Sequence, residues 1–176
     1  MPEPQDECCD FTIGNKWLPE VFRLVIGREC NYDDPKDRRL IHCVTYLLQL
    51  AGVPIGEYGY DLVKIGVLSL DLLRDLHYEF VERKDKPTLG KISPEYMQHI
   101  AKLKKCVDNA PCDVTDYLEA VCGCEWIHRC RYWTKTVQET TKRYMEDRKK
   151  YGIEADKKIC LKAARDAKTL SFWKYY

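Results

Sequence analysis

The sequence predicts a mainly α-helical fold that carries a small β hairpin or sheet and ends in a helical extension. Three observations predict it. Apolar residues recur at helical spacing through most of the 176-residue chain. Only one stretch, residues 58–65, alternates with the period of a strand. The helical stretches open on residues that cap helices, and several close on glycine.

Residues 1–16 are rich in carboxylates and read as a flexible acidic arm. Leu18, Val21, Phe22, Val25 and Ile26 then form one stripe of an amphipathic helix, with Pro19 in its first turn and Gly27 as a stop. Asp34 is placed to cap the next helix. Pro35 suits its first position, and Asp37 adds negative charge to its first turn. Its stripe is Leu40, Cys43, Val44, Leu47, Leu48 and Ala51, followed by Gly52. His42 falls off that stripe and is expected on a solvated or partner-facing side.

In residues 58–65, Tyr58, Tyr60, Leu62 and Lys64 lie on one side and Asp61, Val63 and Ile65 on the other. Gly66 breaks this strand. Ser69 caps a third helix that turns Leu72, Leu73, Leu76 and Phe80 inward. Residues 81–92 contain Lys86-Pro87 and Leu89-Gly90, which suggest a hairpin or extended wing. Ser93 and Pro94 open a fourth helix, with Tyr96, Ile100, Leu103 and Val107 inward. Asp113 caps a fifth, with Tyr117, Leu118, Val121 and Cys122 inward. Two more cover about 136–150 and 154–168, separated by Gly152, and the last turns Ile159, Ala163 and Ala167 inward.

Helix–helix–strand–helix–wing is the order of a winged helix-turn-helix. The expected organisation is therefore the arm at 1–16, a winged-helix-like core at 17–107, and a helical extension at 108–176 packed on it. The sheet is too small for an α/β enzyme core.

Hydrophobic residues make up 45% of the chain and charged residues 32%, which excludes wholesale disorder. No apolar run approaches the roughly 18 residues of a bilayer span. The opening MPEPQDECCD lacks the apolar stretch of a secretory signal. The expected location is cytoplasmic, with no membrane partner. Net charge is +1, but residues 131–176 hold 13 Lys/Arg against 6 Asp/Glu, a net +7, which leaves −6 on residues 1–130. A basic region of that kind attracts nucleic acid or an acidic protein face, or else forms solvated helix faces.

Ten cysteines in a reducing compartment are expected as free thiols. Cys106, Cys112, Cys122, Cys124, His128 and Cys130 invite a zinc reading. The close pair is C-x-C on a predicted helix, however, and residues two apart point to nearly opposite sides. Small buried thiols are the simpler expectation, and no metal or cofactor is expected. Cys8-Cys9 lies in the acidic arm, where carboxylates raise thiol pKa. No histidine belongs to a catalytic motif, and the glycines match no phosphate-binding loop. No enzymatic activity is expected. The terminal Phe172-Trp173-Lys174-Tyr175-Tyr176 is expected to dock on the helical core or to anchor a partner.

Residues 37–76, DRRLIHCVTYLLQLAGVPIGEYGYDLVKIGVLSLDLLRDL, resemble the YwgA-type proteins and the related SocA-like Panacea antitoxin domains. Gly66, Ser69, Leu72, Asp75 and Leu76 fall on that family's pattern. Ile65, Val67 and Leu68 depart from it, where the family has Tyr, Pro and Tyr. YLEAVCGCEWIHRC and the two basic helices after it are similar to the family's helical tail, so the resemblance spans about 36–170. It implies a winged-helix-like fold and no enzymatic activity. Panacea domains neutralise a toxin partner.

The third helix, SLDLLRDLHYEF, carries Asp71, Asp75 and Glu79 against Arg74, a composition that phosphate repels. The expected function is a non-enzymatic protein-interaction module: an antitoxin-like protein, inhibitor or accessory subunit in a prokaryotic or phage conflict or defence system. Its partner would be a toxin, a nuclease or a defence-complex subunit, met by Asp71, Arg74, Asp75, Tyr78 and Glu79 together with Tyr58 and Tyr60. The alternative is a DNA- or RNA-binding regulator using a basic wing (Arg83, Lys84, Lys86, Lys91) and tail helices (Lys149, Lys150).

Overall fold

A computed structural model describes residues 14–170. Most of the acidic arm, Cys8-Cys9 and the aromatic terminus at 172–176 lie outside the described residues. Within them are seven α-helices and one two-stranded antiparallel sheet, a mainly helical fold as the periodicities predict.

A 3-10 turn, Asn15–Trp17, seats Trp17 in the core and leads into α1 (Leu18–Ile26), which buries Leu18, Val21, Phe22 and Val25. α2 (Pro35–Leu50) starts where its capping signals predict, with the Asp34 side chain accepting from Lys36 N at 2.9 Å. Asp37, buried in its first turn, takes a two-pronged ion pair from Arg28 at 2.6 Å and a bond from Asn31 N at 2.7 Å. That pairing holds its carboxyl below the usual range and fixes the α1–α2 connection.

The sheet is shorter than the alternation predicts. β1 (Asp61–Val63) pairs with β2 (Gly66–Leu68) in the register Asp61↔Leu68, Leu62↔Val67, Val63↔Gly66. Gly66 does not merely break the strand. At φ 101° it closes the turn of a hairpin, in a conformation that L side chains avoid. The expected wing at 81–92 is a correction: this segment joins no ladder. Pro87 cannot donate to one, and Leu89 and Ile92 instead pack singly against the core.

α3 (Leu70–His77) is capped by Ser69, whose hydroxyl accepts from Leu72 N, and runs on as a π turn, Tyr78–Glu82. α4 (Pro94–Asp108) and α5 (Val114–Trp126) are capped by Ser93 and Asp113 as expected. Replacing such a cap by alanine costs about 1 kcal/mol. α5 runs on as a second π turn, Ile127–Tyr132, before α6 (Val137–Lys150) and α7 (Lys157–Leu170).

α5 is the central helix. It packs against α2, α6, α7 and the hairpin, and Leu118, Val121, Cys122, Cys124 and Ile127 are all fully enclosed. A helix apolar on most of its faces is buried by its neighbours. Its Gly123 is required, because a Cβ there would collide with the Tyr144 ring of α6. From α6, the buried Arg148 donates to the carbonyls of Val63 at 3.1 Å and Lys64 at 3.2 Å, tying the C-terminal helices to the hairpin. His42 is a further correction. It is buried, with Nδ1 donating to the Arg38 carbonyl at 2.8 Å, and desolvation holds its pKa below the ordinary imidazole value. α2 is enclosed on more sides than its apolar stripe shows, because α1, α4, α5 and β2 all pack on it.

Candidate functional site

The outer face of α3 and of the turn that continues it carries Asp71, Arg74 and Tyr78, three of the seven residues expected to meet a partner. Its inner face is fixed by Leu72 and Leu76, both fully buried, and by Phe80, whose ring stacks on Tyr32 with centroids 5.2 Å apart. Helical spacing then turns Leu70, Asp71, Arg74 and Tyr78 outward. Leu70 is 76% exposed, and Tyr78 and Val81 are also largely exposed. Arg74 stands between two carboxylates, 3.5 Å from Asp71 and 3.6 Å from Asp75.

The π turn inserts an extra residue and changes the register after His77. Glu79 is therefore buried rather than exposed, and Arg83 grips it with two bonds of 2.6 and 2.7 Å. This corrects both expectations about the pair. Glu79 is not on the partner face, and Arg83 is committed to Glu79 and to the Tyr78 ring, 5.2 Å from its centroid.

Tyr58 and Tyr60 are also corrected. They precede β1 and face inward. Tyr58 is buried, its main chain is held by the Gln49 side chain at 2.9 and 3.1 Å, and its hydroxyl donates to Asp75 Oδ2 at 2.9 Å. Burial and the Asp75 carboxylate push that hydroxyl above the ordinary phenol range, so it remains a donor. Tyr60 meets the Tyr46 ring edge-on at 4.9 Å and the Tyr58 ring at 6.5 Å. Of these rings, Tyr58 is the one bonded to α3, through Asp75.

Between α3 and the chain around Gly56 lies an open groove of roughly 370 Å³. Tyr58 and Asp75 line it, with Glu57, Asp71 and Arg74 around them. Gly56 is needed here, because a Cβ would come within 2.5 Å of the Tyr58 ring. Three carboxylates against one guanidinium make the groove acidic. It suits a cationic side chain, and its tyrosine hydroxyl is held protonated. Gln49 and Glu57 belong to this arrangement and carry no mark in the sequence periodicity.

Of the basic residues weighed for nucleic acid, Lys84, Lys86 and Lys91 are exposed along the unpaired segment after α3. Lys149 and Lys150 are exposed at the end of α6, with Lys150 3.8 Å from Asp147. The structure does not bring the two groups onto one element.

The C-x-C pair points as helical geometry demands. Cys122 Sγ lies 3.7 Å from the Cys43 carbonyl on α2, and Cys124 Sγ lies 4.0 Å from the Cys160 carbonyl on α7. Burial pushes both thiols well up, and pushes Cys106 up to about 12. Cys112 and Cys130 are exposed, away from that pair, and His128 bonds the Thr134 carbonyl at 2.7 Å. Among the described residues, no three His, Cys, Asp or Glu side chains gather as metal ligands. No helix among them is long and apolar enough to cross a membrane.

No family model matches the chain, and neither does any curated protein or solved structure.

Proposed function

We propose that this chain is a non-enzymatic protein-interaction module whose binding surface is the outer face of α3 and the acidic groove beside it. The observation that carries this reading is the composition of that face. Leu70, Tyr78 and Val81 are exposed apolar side chains, interleaved with Asp71 and Arg74 and bordered by the acidic groove. Exposed apolar side chains rimmed by charge mark protein interfaces, and the negative groove repels a phosphate backbone. The order helix, helix, hairpin, helix, with the outer face of the last helix exposed, supports a winged-helix-like core. The resemblance to antitoxin-like domains supports a partner such as a toxin, a nuclease or a subunit of a defence complex. A basic groove on that partner, of the kind used to hold nucleic acid, would be complementary to α3 and would be blocked by it.

The test is parallel affinity capture from the native host, with the wild-type chain and with Leu70→Asp and Asp71→Lys variants as baits. Both positions are exposed, so Leu70→Asp should melt with the wild type, and Asp71→Lys, which puts a cation in the first turn of α3, should stay within about 1 kcal/mol of it. Leu70→Asp should lose most of the partner recovered by the wild type. Asp71→Lys should slow association by about tenfold at low salt. Glu79 is unsuitable for such a test, because removing its buried charge strands Arg83. Recovery of nucleic acid alone, or equal recovery by all three baits, overturns the reading.

A further inference from the structure

Trp133 sits in the loop between the second π turn and α6, on residues separate from the α3 face. Among the described residues it is the only non-glycine with a left-handed backbone, at φ 48° and ψ 45°. Its side chain is 71% exposed. A bulky residue gains no packing from such a position, and its backbone adopts a conformation that disfavours any side chain.

The surrounding chain enforces this arrangement. The next residue, Thr134, is buried. Its carbonyl accepts from His128 Nδ1 at 2.7 Å, and its hydroxyl shares a 2.6 Å bond with that of Thr140. Thr136 then caps α6 by accepting from Glu139 N. With the chain that follows it pinned at Thr134 and Thr136, the indole is held out in solvent. Strain sustained in this way points to use at the strained residue.

The neighbours of Trp133 give that use a chemical character. The adjacent Tyr132 ring lies 5.0 Å from the Arg143 guanidinium and 5.7 Å from that of Arg131. Residues 127–150 carry eight Lys/Arg against three Asp/Glu. One of the three, Asp147, is buried and already contacts Arg131, Arg148 and Lys150. Glu146 is shared by Lys142 and Arg143. Positive charge therefore remains in surplus on the surface of this segment.

We propose that the Trp133 loop is a stacking platform for single-stranded nucleic acid. A base would lie on the indole, and the backbone phosphates would be met by Lys135, Lys142 and Arg143. Aromatic rings set among cations bind single strands in this way without reading sequence. Duplex bases are already stacked on each other and present no free face to an indole. A protein partner fits less well, because lysine is depleted at protein interfaces and Lys135 and Lys142 are both exposed here.

The experiment titrates the full chain into fluorescently labelled 20-nucleotide oligo(U) or oligo(dT) at low salt, with a blunt-ended 20-base-pair duplex in parallel. The wild type should bind at least one single strand more tightly than the duplex, with affinity falling as salt rises. Trp133→Ala should weaken binding by about tenfold or more, while Trp133→Phe retains most of it. Arg143→Glu should weaken binding and flatten the salt dependence. Thermal melting checks that Trp133→Ala stays folded. The proposal is overturned if neither oligonucleotide binds, if Trp133→Ala binds as the wild type does, or if the blunt-ended duplex binds as tightly as the single strands. It is equally overturned if the only Trp133-dependent ligand is a protein. The readout needs no α3 partner, so its failure leaves the protein-interaction reading standing.

Discussion

The Tyr46 hydroxyl on α2 donates to Glu125 Oε2 on α5 at 2.5 Å, deep inside the molecule. Glu125 is fully enclosed, and Arg129 Nε donates to its other oxygen at 2.8 Å. A buried carboxylate persists only when each oxygen has a partner. Burial and Glu125 together push the Tyr46 hydroxyl far above the ordinary phenol range, so it stays a donor. Removing Arg129 takes away one of the partners of a buried carboxylate, and Arg129→Ala should cost about 1–3 kcal/mol, less than for a fully enclosed pair because Arg129 is itself 41% exposed. Tyr46→Phe removes the bond to Glu125 Oε2 and should cost about 1–3 kcal/mol. Adding Glu125→Gln to Arg129→Ala should recover part of the loss. Urea unfolding of the three variants beside the wild type checks this; an Arg129→Ala stability within about 0.5 kcal/mol of wild type would refute it.

The sequence made α2, α3, α4 and α5 legible because each carries two independent signals, a cap and a periodic stripe, whereas α1 has a stripe but no capping side chain. Asp34, Ser69, Ser93 and Asp113 cap the helices they were expected to cap. The hairpin and the α3 face were legible only in part. Gly66 was visible as a breaker, but its role as a turn depended on Val67 pairing back to Leu62, a contact that no local pattern encodes. Tyr58 and Tyr60 alternate like strand residues and were assigned to an exposed face. Burial there is decided by Gln49 and Tyr46 from α2, which are distant in sequence. Glu79 went inward because a π turn shifts the register by a residue, an event to which a 3.6-residue period is blind. Trp133 carries no periodic mark, although an Arg-x-Arg-Tyr-Trp run just before a Thr cap was its visible sign.

Glu119, on α5, should make stability fall as pH rises toward neutrality. Burial pushes its carboxyl up to about 7 from an ordinary value of 4.5, and outweighs the Arg39 guanidinium, which bonds it at 2.8 Å and acts in the opposite direction. Asp116 on the same helix adds to the rise and Arg148 on α6 opposes it. The unfolded chain releases this proton near pH 4.5 and the folded chain only near 7. The folded state therefore binds more protons across that window, and the contribution it makes below pH 4.5 is lost by about pH 7. Glu119→Gln removes the titration. Relative to wild type, the variant should gain up to about 3 kcal/mol between pH 4.5 and 7.5. Denaturant unfolding of both proteins at several pH values isolates this group, because carboxylates shifted downward, such as Asp37, cancel in the difference. A wild type that gains on the variant with rising pH would mean that the Arg39 pair prevails over burial.

Trp133 separates stability from function in one side chain. Its left-handed backbone costs a residue with a Cβ roughly 1–2 kcal/mol, and its exposed indole returns little of that through burial. Asparagine tolerates this conformation far better and does not enlarge the unfolded ensemble as glycine does. Trp133→Asn should therefore stabilise the chain by about 0.5–1 kcal/mol. Trp133→Ala keeps the Cβ and the strain, and should leave stability within about 0.5 kcal/mol of wild type. The contrast between the two isolates the backbone from the lost ring, and chemical denaturation at one pH measures it. If both variants are destabilised by similar amounts, the indole packs on its surroundings and is not held out against them. If only Trp133→Asn gains, the native chain keeps a less stable residue at a position where the fold gives it no compensation, and the reason lies in what the ring contacts outside the molecule.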